Sequence, residues 1–480
     1  MENIQDILLY AIVAIAIIIF IVLLIPSGKS SKKGTYKFSF KVKGKTITIT
    51  NPFLGFLIYG GAGSGKTKSI AKPLMEQYIK HPFAGFIYDY KDLDLTRTAA
   101  HLVKKHDYPY QFYIISFVDM DKTARTNPIA PEVIKDENVF LQLLDDLYMS
   151  YLQGTSNEWS DGAKGILQGV GYRFFEEFKE KCTIPHIAMF VCTAGMEKLT
   201  AFLKSNVRSR GLASAFLDSE SSPRTQGSYL SSLTNILSKL SFNKNIAYVL
   251  SGDDFQFNLI DGNEPKLISV CNSFQIENVI APVIALMLSI SSRQFTLDNK
   301  IPFFYLLDEA TTFKIPDFQK MPSVLREYKC SFAFITQSAS KIEQMYGRQA
   351  RSSIESNLGY QFYGRTQDVV AIQSYPLIFG QKETERVSTS KGNSAAGSNK
   401  STTVSKQKEN VFDTKDFTEL HAGEFICSFT EANYRNGKFQ FSQYTDIEEP
   451  LTLTNNIEYD FVNENYKKIQ NDITFLISVI

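Results

Sequence analysis

Eight consecutive residues of this 480-residue chain, Gly60, Gly61, Ala62, Gly63, Ser64, Gly65, Lys66 and Thr67, read GxxxxGKT. Glycines at these spacings let the backbone curl until its N–H groups point at a phosphate. The lysine then reaches the β and γ oxygens, and the threonine hydroxyl is a hard ligand for Mg²⁺. With Lys68 behind it, the stretch is a candidate nucleotide-binding loop. Much later, the apolar run Phe303–Leu307 closes on Asp308 and Glu309. Two acids at the end of a buried strand are the pair that hydrolysis needs, Asp308 to hold Mg²⁺, usually through water, and Glu309 to polarise the attacking water as general base. A GTPase switch does not need the second acid, and the Asn-Lys-x-Asp pattern that reads guanine is absent from the chain, so ATP is favoured. Gln337 ends a further apolar run beginning at Ser331, where an amide beside the acids would sense the γ-phosphate. Arg326 falls between the two runs on a predicted helix from Phe318 to Lys329, and its spacing leaves two readings open, a surface charge or an arginine finger.

The elements that must hold these groups can be read from period and punctuation. Tyr36–Phe40 and Thr46–Thr50 alternate around Lys43-Gly44-Lys45 and predict a β-hairpin. Leu54–Tyr59, the glycine loop, a helix from Gly65 to Lys80 and a strand at Ala84–Tyr88 make a βαβ unit. From Val133 to Phe242 helical spacing dominates, which predicts an all-helical insertion. Strands return at Lys266–Val270, Phe303–Leu307, Phe332–Ile335 and Gln361–Tyr363, so two distant stretches share one sheet. Val279–Ile290 reads as a core helix. Residues 381–410 are Ser-, Thr-, Lys-, Asn- and Gly-rich, with Val387 and Val404 their only large apolar side chains, and are expected to be disordered. Short strands follow at Glu424–Phe429 and Lys438–Tyr444. The expected organisation is an anchor at 1–27, a nucleotide-binding domain at 28–130 and 246–380 that 131–245 interrupts, a disordered loop at 381–410, and the end of the nucleotide-binding domain with a tail at 411–480.

Composition bounds the partners and the compartment. Fifty-one Lys and Arg balance 50 Asp and Glu, so no bulk field marks a polyanion binder, and any nucleic-acid contact must come from local clusters or from a channel made by several subunits. Five scattered cysteines without a CxxC fit neither a disulfide framework nor a zinc site, and the five histidines have no metal-ligand spacing. Ile7–Ile25 is nineteen residues long without a charge, reaching about 28 Å as a helix, enough to span a bilayer core. Glu2 and Asp6 before it and Pro26 after it do not suit a cleaved signal. Lys29, Lys32, Lys33, Lys37, Lys41, Lys43 and Lys45 behind it place residues 26–480 in the cytoplasm by the positive-inside bias.

The anchor, Gly60–Thr67, Asp89-Tyr90-Lys91-Asp92, Asn127-Pro128, Trp159, and the block from Leu306-Leu307-Asp308-Glu309 through Gln337-Ser338, Tyr346-Gly347 and Asn357 together resemble the TraG/TraD-like coupling proteins of conjugative type IV secretion. These proteins are similar to the ring translocases FtsK and HerA. The resemblance implies an α/β P-loop NTPase (RecA-like) with a parallel sheet, an inserted all-helical domain and an N-terminal transmembrane helix. It implies a homo-hexameric ATPase at the bacterial inner membrane that uses ATP and Mg²⁺ to pass a relaxase-bound DNA strand to the secretion channel, with relaxosome proteins and channel components as partners. Carried over by position, Lys66 and Thr67 meet phosphate and Mg²⁺, Asp308 and Glu309 form the Walker B pair, Gln337 senses nucleotide state, and Arg326 reaches a neighbouring subunit's nucleotide. Lys314, in the loop after Walker B, would face the channel and track a DNA backbone. Arg208, Arg210 and Arg224 are the insertion's candidate cargo contacts. The chain departs from the family in having one membrane helix where many members have two, Asp92-Leu93-Asp94 after Lys91 where the family commonly has Gly-Glu, and no long acidic tail. An intracellular DNA pump of the same ring class and an ATP-binding adaptor for protein export remain alternatives.

Overall fold

The computed structural model describes residues 36–91, 93–152, 158–394, 397–446 and 459–480. The membrane anchor expected at 1–27, and Asp92, lie outside these residues. Among the described residues no helix is long and apolar enough to cross a membrane.

The described residues hold thirteen strands: β1 Phe38–Val42, β2 Lys45–Ile49, β3 Phe56–Tyr59, β4 Ala84–Asp89, β5 Gln111–Ser116, β6 Lys266–Cys271, β7 Phe303–Leu307, β8 Cys330–Thr336, β9 Tyr360–Tyr363, β10 Gln381–Ser394, β11 Gly397–Asn410, β12 Glu424–Phe429 and β13 Asn436–Gln440. Nine of them form one sheet in the order β13-β12-β9-β3-β8-β7-β4-β6-β5. From β9 to β5 every neighbouring pair is parallel, and β12 and β13 join antiparallel at one edge. The central strands β3, β4, β6, β7 and β8 are buried at every position, as strands covered on both faces must be. β3 lies between β8 and β9, and β7 lies between β8 and β4, so the glycine loop and the two acids leave the same end of the sheet one strand apart. The β1–β2 hairpin, bridged by Val42 to Phe441 and by Ile49 to Ala432, packs beside the antiparallel edge.

Helices from Pro131 to Leu250 build the insertion between β5 and β6. Its Leu, Ile and Phe side chains merge into one apolar cluster with one face of the sheet. The buried helix Glu277–Ser292 accommodates Pro282 within that cluster. A C-terminal helix, Tyr459–Val479, was not anticipated. It buries Val462, Tyr466, Ile469, Ile473 and Leu476, a stripe of alternating four- and three-residue spacing. Lys244 and Lys181 on the insertion bond to its Asn463 (2.8 Å) and Asp472 (3.0 Å).

Of residues 381–410, expected to be disordered, 381–394 and 397–410 instead form the antiparallel ribbon β10–β11. The expectation weighed only core burial, and indeed Val387 and Val404 face each other across the ladder while 62% and 56% exposed. What holds the ribbon is backbone pairing along fourteen residues per strand, with opposite charges meeting across it, Arg386 with Glu409 at 3.1 Å and Lys406 with Glu383 at 3.8 Å.

Candidate active site

The loop Gly60–Gly65 follows β3 and runs into a wide helical turn, Lys66–Ala71, continued as the helix Lys72–Lys80. Gly63 and Gly65 have φ of 71° and 91°, backbone that side chains other than glycine rarely adopt. At Gly65 a Cβ would also stand 2.7 Å from the backbone nitrogen of Gly423, so glycine is needed there twice over. Neighbouring strands tie the loop down. Gly60 N donates to the Gln337 carbonyl (3.1 Å), Gly61 N to the Arg365 carbonyl (2.7 Å), and Gly423 N to the Ser64 carbonyl (2.9 Å). Among the described residues the amides of Ala62, Gly63 and Gly65 donate to nothing, which leaves them available to an anion.

Lys66 is buried, and its amine turns back onto the carbonyl oxygens of Gly60 and, at 3.4 Å, Gly61. Burial holds its pKa below the usual lysine range, with Glu309 and Asp308 opposing the shift and Lys91 and Lys341 adding to it. A phosphate would take up the amine and relieve that desolvation.

Asp308 and Glu309 are 2% and 6% exposed, and Asp308 N donates to the carbonyl of Tyr88 on β4 at 3.1 Å. Burial raises the Asp308 carboxyl above its usual range, while Lys91 and Lys66 pull it back. Glu309 has φ of 52°, a strained value for a residue with a side chain. Thr312 fixes it by donating N–H and hydroxyl to its carbonyl, both at 3.0 Å. Thr312 also meets the Tyr88 hydroxyl at 2.7 Å, and Thr311 meets Thr336 at 2.8 Å. Asp308 Oδ2 and Glu309 Oε1 are buried without a hydrogen-bond partner. Such atoms are costly to keep unless something binds them. Mg²⁺ takes one or two protein oxygens and completes its shell with phosphate and water, and the Asp308 oxygen with the half-buried Thr67 suits that pattern.

A third acid, Asp89 at the end of β4, is fully buried and accepts from Thr96 N (2.8 Å), Thr96 Oγ1 (2.7 Å) and Lys91 N (3.0 Å). Burial pushes it up to about 6 against those bonds, with Asp308 adding to the rise.

The tertiary structure thus brings Gly60–Thr67, Asp308, Glu309 and Gln337 together. Lys68 turns away to an ion pair with Asp446 (2.5 Å), and Lys72 is clamped between Asp446 (2.6 Å) and Asp94 (2.7 Å). Arg326 is exposed at the opposite end of β8 from Gln337, about 20 Å away along seven residues of strand, beyond reach of its own chain's loop. Arg208 is held by Glu137 (2.6 Å) and the Tyr172 ring (5.3 Å), a tie within the insertion. Arg210 and Arg224 are exposed. Sequence reading missed Arg365, whose guanidinium lies beside Gly63, and the roles of Asp89, Lys91 and Lys341; only the strand order brings these residues to the loop.

A buried parallel sheet with a glycine loop and two unpartnered acids at one end defines a P-loop nucleotide-binding protein. Residues 302–422 match the family model described as the TraM recognition site of TraD and TraG, so this part of the chain is similar to that family. The plasmid coupling protein TrwB in complex with ADP and Mg²⁺ is similar at a TM-score of 0.67 and 14% identity, over 88% of this chain and 93% of that one. TrwB with the ATP analogue ADPNP gives 0.65 at 14% identity, over 88% and 94%. VirB4 of Thermoanaerobacter pseudethanolicus gives 0.50 at 12% identity, over 87% and 98%. No curated protein sequence matches the chain.

Proposed function

We propose that this chain is a membrane-anchored ATPase that couples ATP hydrolysis to recruitment and translocation of DNA, with attached protein, into a conjugative type IV secretion channel. The observation that carries the ATPase reading is the pair of buried, unpartnered oxygens on Asp308 and Glu309, at the same sheet end as the loop amides. Nucleotide binding alone does not call for the second acid. Lys66 and the loop amides would hold the β and γ phosphates, Thr67 and Asp308 would hold Mg²⁺, and Glu309 would accept the proton of the attacking water. Mg²⁺, when bound, supplies charge neutralisation on the phosphates. Gln337, whose carbonyl accepts from Gly60 N, would register whether γ-phosphate is there.

The remoteness of Arg326 from its own loop favours a ring, a homo-hexamer in our reading, in which each Arg326 serves a neighbour's nucleotide. Likeness to a plasmid coupling protein, and the 302–422 match to a TraM recognition region, support DNA, relaxosome proteins and channel components as partners. The apolar run at Ile7–Ile25 supports an anchor in the bacterial inner membrane, with the bulk of the chain cytoplasmic.

The test is ATP hydrolysis by the full chain with and without single- and double-stranded DNA at two salt concentrations. Stimulation that weakens with salt and vanishes in Lys66→Ala is the expected result. Hydrolysis indifferent to DNA would move the reading to a protein-export ATPase, and no hydrolysis at all would sink it.

A further inference from the structure

Arg365 is the first exposed side chain beyond β9, and a Cβ built on Gly63 would lie 3.7 Å from its Nη2. Its backbone is fixed on both sides. Gly364 N donates to the Tyr59 carbonyl (2.8 Å), Gly61 N to the Arg365 carbonyl (2.7 Å), and Thr366 N to the Phe417 carbonyl (3.4 Å). The chain is drawn tight here, because a Cβ at Gly364 would stand 3.0 Å from the Tyr59 carbonyl oxygen and 2.8 Å from the Phe425 ring. The root of Arg365 and the start of the glycine loop are therefore tied to one another through β3 and β9.

The guanidinium itself makes no ion pair or hydrogen bond among the described residues. The nearest acid in sequence, Asp368, is already engaged, accepting from Ala371 N (3.1 Å) and from the Ser340 hydroxyl. Beside the guanidinium the loop holds further unsatisfied donors: the amides of Ala62, Gly63 and Gly65, and the buried Ser64 Oγ, which has no partner. Lys66, the cation within the loop, has the opposing charges of Glu309 and Asp308 acting on it. Unpaired donors gathered around one turn, with a second cation at its rim, call for an anion that carries several acceptor oxygens.

We propose that Arg365 is a phosphate ligand of its own subunit's nucleotide site, gripping the triphosphate beside Gly63. The proposal rests on the reading of the chain as an ATPase and adds to that site a residue outside both nucleotide motifs. A planar guanidinium can give a phosphate two parallel N–H bonds, where lysine gives a point charge. Exposure keeps the guanidinium hydrated until a phosphate replaces that water, so holding it at the rim costs little. Arg365 thereby serves the nucleotide from within the chain, whereas Arg326 lies beyond reach of its own loop.

The test is titration of the full chain with a fluorescent ATP analogue, followed by its displacement with ATP and with inorganic tripolyphosphate, in wild type, Arg365→Gln and Arg365→Lys. Arg365→Gln should weaken ATP and tripolyphosphate alike by about 10- to 100-fold, the worth of hydrogen bonding to a charged group, and Arg365→Lys should regain part of the loss. The carbonyl that holds Gly61 survives both substitutions, so a merely structural role for this residue predicts no difference between them. Affinities within threefold of wild type in Arg365→Gln overturn the proposal and leave the ATPase reading standing. Loss of ATP affinity with tripolyphosphate unchanged would put the guanidinium on the base or ribose and overturn the phosphate assignment. Equal losses in the Gln and Lys variants would show that its charge is not what the site uses, and would overturn it too. A wild type that binds neither ATP nor its analogue defeats the ATPase reading itself.

Discussion

Glu309→Gln isolates the chemical step, because glutamine has the same length and shape but is neutral and cannot act as a base. Glu309 is 6% exposed, its Oε1 has no partner, and its strained backbone is held through its carbonyl by Thr312, so the substitution leaves the supporting bonds in place. If the carboxylate takes the proton of the attacking water, its loss should slow hydrolysis by about 10²–10⁴-fold, or roughly 2.7–5.4 kcal/mol in the barrier. The groups proposed to bind phosphate are elsewhere, in the free amides of Ala62, Gly63 and Gly65 and in Lys66. Nucleotide affinity should therefore stay within about threefold of wild type, well under one hydrogen bond to a charged group. Single-turnover hydrolysis measured beside titration with a fluorescent ATP analogue separates the two quantities. Turnover within tenfold of wild type would refute the general-base assignment. A parallel fall in binding and turnover would show that Glu309 supports the loop and has no separate chemical role.

Three further outcomes follow from the same geometry. Lys66→Ala should weaken ATP by about 10- to 100-fold, the worth of one charge-assisted bond or a little more, and abolish turnover; affinity within threefold of wild type in a titration would contradict its phosphate role. Arg326→Ala should be inactive alone but recover hydrolysis when mixed with Lys66→Ala subunits, since each would supply what the other lacks; the absence of recovery in mixed assemblies would count against action in trans. Thr96→Val removes a 2.7 Å donor from Asp89. The Asp89 carboxyl is raised to about 6, so the stability tied to its neutral form is complete below the ordinary carboxylate range and is lost as pH rises through about 6. Losing the donor should therefore cost about 1.5–3 kcal/mol above that pH, where the carboxylate is ionised, and clearly less below it. Thermal melts at about pH 5 and 8 read this difference, and an equal loss at both would exclude the ionised Asp89 as the cause.

Much of this molecule is legible because its chemistry is local. The glycine loop carries its strand, turn and helix within the one stretch from Phe56 to Lys80, and Phe303–Leu307 delivers Asp308 and Glu309 to the end of a strand at the expected residues. The C-terminal helix was legible too, in the spacing of Val462, Tyr466, Ile469, Ile473 and Leu476, but sequence reading left it as a tail. β5 was harder, an edge strand in which only Ile114, Ile115 and Ser116 are buried. The ribbon at 381–410 was misread because pairing between two exposed strands leaves no apolar signature.

The sequence by itself singled out the residues proposed to bind phosphate and metal, and indicated that a helical segment interrupts one sheet. Only the tertiary structure decided what stands beside them. Strand order puts the Arg365 carbonyl on Gly61, Gly423 against Gly65 and Ser64, Lys91 within range for its charge to act on Asp308, and Arg326 at the far end of β8 from its own loop. It also brings Lys239 of the insertion across from Lys314 and Lys341. Periodicity reports which face of an element is buried and motifs report what a few adjacent side chains can do. Neither encodes which strand pairs with which, and contacts between distant segments depend on that pairing.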